Sequence, residues 1–307
     1  MKILITGSEG NVGSKLVPFL ESKGHEVLCL DIVQKFRPNY ILCDILNLTD
    51  AEKEIQDFKP TVVYHLAAMV SRITCEKSIA MAVNVNLTGT VNMVQLCKRI
   101  DAKLINFSTS EVYGNQDCLL EEDITPMPNN MYGMTKYMAE QLVEYESKSN
   151  GLRYINLRPF MMYSEDELMG ENRSAMIRFA ENITKGLPIT VHLGAKRSWL
   201  HVSDAVVLLE KMLYVNENVT LNMGNAVFMD IEHMAKFMCE YAGKSLDLIQ
   251  CQQLPDKMTL SKSASFKKQL DLLKYTPKMK QEDGIKLVMD TVKKRLTNEI
   301  FYCNTTF

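Results

Sequence analysis

Tyr132 and Lys136 stand four residues apart in the run Tyr-Gly-Met-Thr-Lys. On a helix that offset puts a phenol and an ammonium on one face. A cation beside a phenol favours the tyrosinate, and a tyrosinate can take the proton of a hydroxyl at a carbon that is being oxidised. Upstream lies Thr109-Ser110-Glu111, two hydroxyls and a carboxylate. A Tyr/Lys pair at this spacing is also common on solvated helix faces, so its meaning depends on the elements around it.

Those elements are legible. Lys103–Phe107 is an apolar strand that ends two residues before Thr109, and ligands in open parallel sheets bind at the carboxyl ends of strands. Asn130–Lys148 has the pattern of a helix and carries Tyr132 and Lys136. The chain begins with the strand Ile3–Ile5, then Gly7, Gly10 and Gly13 at three-residue intervals, then a helix with Val12, Leu16, Val17 and Leu20 on its apolar face. Strand, glycine turn and helix form the context in which such a triplet binds a dinucleotide. Gly7 allows the tight turn, Gly10 admits a pyrophosphate, and Gly13 lets the helix pack closely on the sheet. The helix N-terminus, with Asn11 and Val12, faces the phosphates. Asp31 ends the second strand, Glu26–Leu30, at 18 residues past Gly13. A carboxylate there accepts hydrogen bonds from a ribose 2′-hydroxyl and repels a 2′-phosphate, which favours NAD over NADP; Lys35 and Arg37 lie nearby.

Further strands are expected at Tyr40–Cys43, Thr61–Leu66 and Arg153–Leu157, with helices at Ala51–Phe58 and Ser78–Arg99. Strands alternating with helices predict an α/β fold, a Rossmann-type doubly wound parallel sheet. From residue 159 the pattern loosens: Ser174–Lys185, Ile189–His192, Val202–Tyr214, Asp230–Tyr241, Leu246–Ile249 and Glu282–Lys294. The expected division is an NAD-binding domain over 1–158, with some later elements returning to it, and mainly a substrate-binding lobe over 159–307.

Composition limits the function. The net charge of −2 gives no electrostatic case for nucleic acid or an anionic membrane. No stretch approaches the length of a membrane helix, and no targeting segment is visible. Eight cysteines without a C-x-x-C pair read as free thiols of a reducing cytoplasm. His65 has no second His or Cys at ligand spacing, so no metal is expected. The twenty methionines are dispersed and read as core filling.

Taken in order, Thr6-Gly7-x-x-Gly10-x-x-Gly13, Asp31, Asp44-Ile45, His65-Leu66-Ala67-Ala68, Asn86-x-x-Gly89-Thr90, Ser108-Thr109-Ser110-Glu111-Val112-Tyr113-Gly114 and Tyr132-x-x-x-Lys136 resemble the extended short-chain dehydrogenase/reductase family, in its NAD-dependent sugar-nucleotide epimerase/dehydratase branch. Arg158-Pro159-Phe160, the run Gly194 to Asp204, and Asn222-Met223-Gly224 extend the resemblance over nearly the whole chain. It implies NAD contacts from the glycine loop, Asp31, Asp44, Ile45, Leu66, Ala67, Ala68, Asn86, Tyr132, Lys136 and Phe160. It implies Tyr132 as base, Thr109 on the sugar hydroxyl, and Arg197 on the diphosphate of a nucleotide-sugar substrate, where a guanidinium fork suits two phosphate oxygens. Glu111 after Ser110 is similar to the GDP-mannose 4,6-dehydratases and the UDP-glucuronate decarboxylases, and in the dehydratases such a Glu removes the C5 proton. Both reactions begin with oxidation at C4, as does 4-epimerisation. The family's Asn-x-Tyr-Gly-Pro run reads Met161-Met162-Tyr163-Ser164-Glu165 here, and Lys257 is the nearest candidate for a late arginine on the second phosphate. The resemblance also implies a homodimer joined through the helices near 78–99 and 130–148. Two other functions fit parts of the pattern: an NADPH-dependent 4-keto-sugar reductase, opposed by Asp31, and a dinucleotide sensor, which would not need Thr109, Tyr132 and Lys136 together.

Overall fold

The computed structural model describes residues 1–170, 173–253 and 262–304, with side chains through Asn298. In chain order the first half runs β1 (Lys2–Thr6), α1 (Gly13–Ser22), β2 (Glu26–Asp31), β3 (Tyr40–Leu42), α2 (Glu52–Phe58), β4 (Val62–His65), α3 (Arg72–Lys77), α4 (Ile79–Val83), α5 (Gly89–Ile100), β5 (Lys103–Phe107), α6 (Met131–Asn150) and β6 (Tyr154–Pro159). The second half adds β7 (Met161–Tyr163), α7 (Ala175–Lys185), β8 (Ile189–His192), β9 (Lys196–His201), α8 (Val202–Met212), β10 (Val219–Met223), β11 (Phe228–Asp230), α9 (Ile231–Tyr241), β12 (Ile249–Gln252), α10 (Lys267–Leu273) and α11 (Gln281–Asn304).

Strands β1, β4 and β5 are mostly apolar and, apart from half-buried Lys2, buried along their length, as a parallel sheet covered on both faces requires. They lie at the centre of a seven-stranded sheet of order β10-β6-β5-β4-β1-β2-β3, with every pairing parallel. The order reverses between β1 and β4, which opens the ligand crevice at their carboxyl ends. Helices α1 and α8 pack one face through Leu16, Val17, Leu20, Ala205 and Leu209. Helices α5 and α6 cover the other through Met93, Val94, Leu96, Cys97 and Val143. The return of α8 and β10 agrees with the expectation that later elements rejoin the first domain.

A second core lies in the C-terminal half, where α7, α9 and α11 enclose β8 and β9 around Trp199, Ile183, Met234 and Val288. It carries the small sheets β11-β9-β7 and β12-β8.

The structure differs from the sequence expectations in one long helix and in several short elements. Ser78–Arg99 is not one regular helix: α4 and α5 are joined by a π-helical turn over Asn84–Thr88. Its cause lies in the site, where the buried Asn86 side chain is claimed by neighbouring groups. Strands β7, β9, β10 and β11 and helices α3 and α10 were not foreseen; all are short, and polar residues interrupt the apolar runs of β9 and β10.

Candidate active site

The glycine loop meets the end of β4 at the crevice. Gly7 has φ of +71°, and a Cβ there would lie 2.7 Å from Ala67 N, so only glycine fits. Gly13 lacks room for another reason than expected: a Cβ would lie 2.4 Å from Gly7 O, so the first turn of α1 closes on the loop's own backbone, not on the sheet. No side chain caps α1. The N–H groups of Asn11, Val12 and Gly13 find no acceptor among the described residues. Open donors at a helix N-terminus, on a glycine-rich loop, fit a dinucleotide pyrophosphate.

Asp31, buried at the end of β2, accepts hydrogen bonds from Glu9 N at 2.9 Å and Val33 N at 3.0 Å. Each carboxylate oxygen retains a lone pair for a ribose hydroxyl. Lys35 is paired with Glu9 at 3.6 Å and Arg37 with Glu21 at 2.5 Å, so neither cation stands ready for a 2′-phosphate. Asp44 is exposed and accepts from Leu46 N at 2.9 Å, while buried Ile45 packs against Gly89. Leu66, Ala67 and Ala68 line the crevice edge after β4, half-buried. Beneath them His65 is fully buried between Thr6 Oγ1 (2.9 Å) and Thr90 Oγ1 (3.2 Å). Burial and the nearby Lys136 charge lower its pKa to about 3, so the imidazole is neutral and serves as a hydrogen-bond bridge. Asn86 clamps Met69 through both amide atoms (2.7 and 3.1 Å) and donates to Thr135 Oγ1 at 3.0 Å, tying this edge to α6.

Thr109, at the end of β5, caps a 3₁₀ turn over Ser110–Tyr113 and accepts from Glu111 N at 3.1 Å. Ser110 is buried at the start of that turn. The turn packs on α6 at Gly133, where a Cβ would lie 2.6 Å from Glu111 O. This contact puts Tyr132 beside Thr109, close enough for the Thr109 hydroxyl to favour the ionised phenol. Asn130 caps α6 through Gly133 N at 2.9 Å, fixing the phase of the helix. Lys136 follows on the same face, fully buried. Burial lowers its pKa to about 8, opposed by the charge of Glu140.

The tyrosinate expectation needs correction for the protein alone. Burial pushes the Tyr132 phenol well above its ordinary value, Glu111 adds to the shift, and the Thr109 hydroxyl opposes it. Lys136 does not offset that desolvation.

Glu111 points into a group of cations. Lys262 is ion-paired with Glu111 Oε1, Arg72 approaches Oε2 at 3.5 Å, and Asn130 donates to Oε2 at 2.9 Å. Although burial alone would raise it, Lys262 leads the groups that bring the Glu111 pKa down to about 2. The Lys262 ammonium is itself pushed down by burial, with Arg197 and Arg72 adding repulsion and Glu111 opposing. Arg197, on β9, feels the same two charges. Three cations thus surround one carboxylate, an excess that suits a polyanion.

Phe160 is buried in a wall with Tyr113 and Phe266, 5.2 Å from the latter ring edge-on. Lys257 lies outside the described residues. The late cation that reaches the site is Lys262, which the sequence did not single out; nor did it mark Arg72. No periodicity or motif distinguishes either from the chain's other basic residues.

The sequence model of the NAD dependent epimerase/dehydratase family matches residues 3–224. Among curated proteins, UDP-glucuronic acid decarboxylase 3 of Arabidopsis thaliana is 26% identical, covering 96% of this chain and 90% of its own length. Among solved structures, the UDP-glucuronic acid 4-epimerase of Bacillus cereus, in complex with UDP-glucuronic acid and NAD, superposes with a TM-score of 0.86 at 27% identity, over 96% of this chain and 100% of that one. The UDP-glucose 4-epimerase of Thermotoga maritima shares the fold, with a TM-score of 0.88 at 23% identity over 96% of this chain and 100% of that one. The chain belongs to the NAD-dependent epimerase/dehydratase family, an enzyme family of the extended short-chain dehydrogenase/reductase type, and its cofactor is NAD.

Proposed function

We propose that this enzyme acts on a UDP-sugar, oxidising the C4 hydroxyl and ending in inversion at C4. The juxtaposition of Thr109 and Tyr132 by the packing of Gly133 on Glu111, with buried Lys136 one helical turn on, carries this proposal. NAD, when bound, supplies the hydride acceptor. Thr109 and Tyr132 hold the sugar hydroxyl. Tyr132 takes its proton and, once the 4-keto sugar has turned its other face to the site, returns one to the 4-keto oxygen; inversion would follow because the hydride taken from C4 would come back to that other face. The protein alone keeps Tyr132 neutral, so a positive charge arriving beside it sets its basicity. Lys136 supplies part of that charge and a donor for the cofactor ribose. The glycine loop with Asn11 and Val12, Asp31, Asp44, Ile45, Leu66, Ala67, Ala68, Asn86 and Phe160 form the NAD contacts. Arg197 and Lys262 receive the diphosphate, and their two charges match it.

The state of Glu111 bears on the outcome. A carboxylate with a pKa of about 2, held by three donors, is a weak base toward a C5 proton. That supports epimerisation over 4,6-dehydration. Decarboxylation of a UDP-glucuronate-type substrate also needs no C5 base and stands as the second reading, favoured by the 26% identity to UDP-glucuronic acid decarboxylase 3. We assign the division at residue 158 to cofactor and substrate binding, in keeping with the two cores. Exposed Ile79, Met81, Met134, Met138 and Tyr145 on α4 and α6 support a homodimer through those helices. Among the described residues no helix is long and apolar enough to cross a membrane.

Incubation with UDP-glucose, UDP-galactose and UDP-glucuronate, without added cofactor and then with NAD, tests the proposal. A new C4 configuration at unchanged mass supports it. Loss of carbon dioxide selects the second reading. Loss of water refutes the role given to Glu111. Tyr132→Phe loses on the order of 10²–10⁴ in kcat while retaining NAD.

A further inference from the structure

Where Ser164-Glu165 stand in place of the family's Gly-Pro, the chain crosses from the C-terminal half onto the glycine loop. Ser164 is buried, and its hydroxyl donates to Asn11 Oδ1 at 2.5 Å. Asp166 is ion-paired with Lys15, on the first turn of α1, through one oxygen, and with Arg295 of α11 at 3.2 Å through the other. Glu165 accepts from His201 at 3.0 Å, if that nitrogen carries the proton. The segment is therefore anchored twice on the C-terminal side and twice on the cofactor loop. Asn11 and Lys15 flank the open N–H groups that fit the pyrophosphate.

We propose that Ser164 and Asp166 are positioning residues for NAD: they form a strap that holds the glycine loop and α1 against the C-terminal half and slows release of the dinucleotide. This rests on the assignment of NAD to the crevice. Release requires the loop to move away from the crevice, and each strap contact opposes that movement. An enzyme that returns its hydride to the sugar benefits, because its cofactor need not exchange between turnovers. His201 and Arg197 share β9, so the strand that carries the diphosphate arginine also anchors the strap.

The test is the dissociation rate of NAD, followed by trapping with excess labelled NAD, in wild type, Asp166→Asn, Ser164→Ala, and the pair Lys15→Asp with Asp166→Lys. Exposed and half-exposed pairs are individually weak, so dissociation about three- to tenfold faster is expected for each single variant. Charge exchange should restore only part of the wild-type rate, because it re-forms the contact with α1 but sets a cation against Arg295, and thermal unfolding without NAD should be unchanged. Raising salt should speed release from wild type and leave Asp166→Asn little affected. An unchanged rate in Asp166→Asn overturns the proposal. Slower release in that variant also overturns it, because Lys15 would then be a phosphate ligand with which Asp166 competes. If the wild-type protein binds no NAD at all, the assignment beneath the strap fails, an outcome separate from NAD held with an unaltered rate.

Discussion

Glu111→Gln keeps the shape of the side chain and removes the charge that Lys262 and Arg72 enclose. The carboxyl lies at about 2 in place of its ordinary 4.5. At 1.36 kcal/mol per pKa unit this is roughly 3 kcal/mol of stabilisation in favour of the ionised form. The side chain is only 16% exposed and Lys262 only 4%, so solvent screens the pair little. Arg72, 39% exposed, contributes the lesser part. The Gln variant should therefore be about 3 kcal/mol less stable than wild type at pH 7, within the range for breaking a buried pair and leaving Lys262 opposite other cations. The pH dependence follows from the depressed pKa. The stabilisation is fully present above the unfolded carboxyl value and is lost as pH falls toward 2. Between pH 7 and pH 3.5 about 1.4 kcal/mol of it disappears from wild type and none from the variant, so the gap between them halves. Urea unfolding at the two pH values, followed by the fluorescence of buried Trp199, reads the difference directly. A gap that is the same at both pH values, or a variant as stable as wild type at pH 7, would show that Glu111 is not held as an ion.

Two further substitutions probe the support beneath the site. Gly133→Ala places a Cβ 2.6 Å from Glu111 O, which should cost ~1–3 kcal/mol of stability. By parting Thr109 from Tyr132 it should lower kcat on the order of 10²-fold, with bound NAD unchanged; retention of full kcat would contradict the packing argument. Arg158 donates to both carboxylate oxygens of Glu140 (2.7 and 3.0 Å), and both side chains are buried. Arg158→Met should cost about 3–5 kcal/mol, and adding Glu140→Leu should recover much of it; additive losses in chemical denaturation would refute the pairing.

The parts of the molecule legible in the sequence are those where one residue type answers one local demand. Gly7 is such a case, since its backbone conformation and the approach of Ala67 admit nothing larger. The buried central strands are another, because they are continuous apolar runs. Tyr132 and Lys136 could be paired because helical spacing alone sets them on one face. What the sequence did not disclose depends on contacts between distant segments. Lys262 is a basic residue in a polar stretch until the fold brings it to Glu111. The π turn has no local signature, because it exists to let Asn86 reach Met69 and Thr135. The neutral state of Tyr132 arises from burial, which spacing does not report.

The placement of β10 has a consequence for how the chain is made. Its partner β6 ends at Pro159, yet β10 starts only at Val219, after α7, β8, β9 and α8. A nascent chain that has emerged only as far as β6 therefore presents a naked sheet edge, with the α8 side of its hydrophobic face also uncovered. Unpaired edges invite adhesion to other chains, and such exposure persists longest where pairing must await distant sequence. A fragment stopped near residue 158 should accordingly be recovered in aggregates, and holdase chaperones should engage the chain at that stage of translation. The cofactor half is thus contiguous in space but completed late in time.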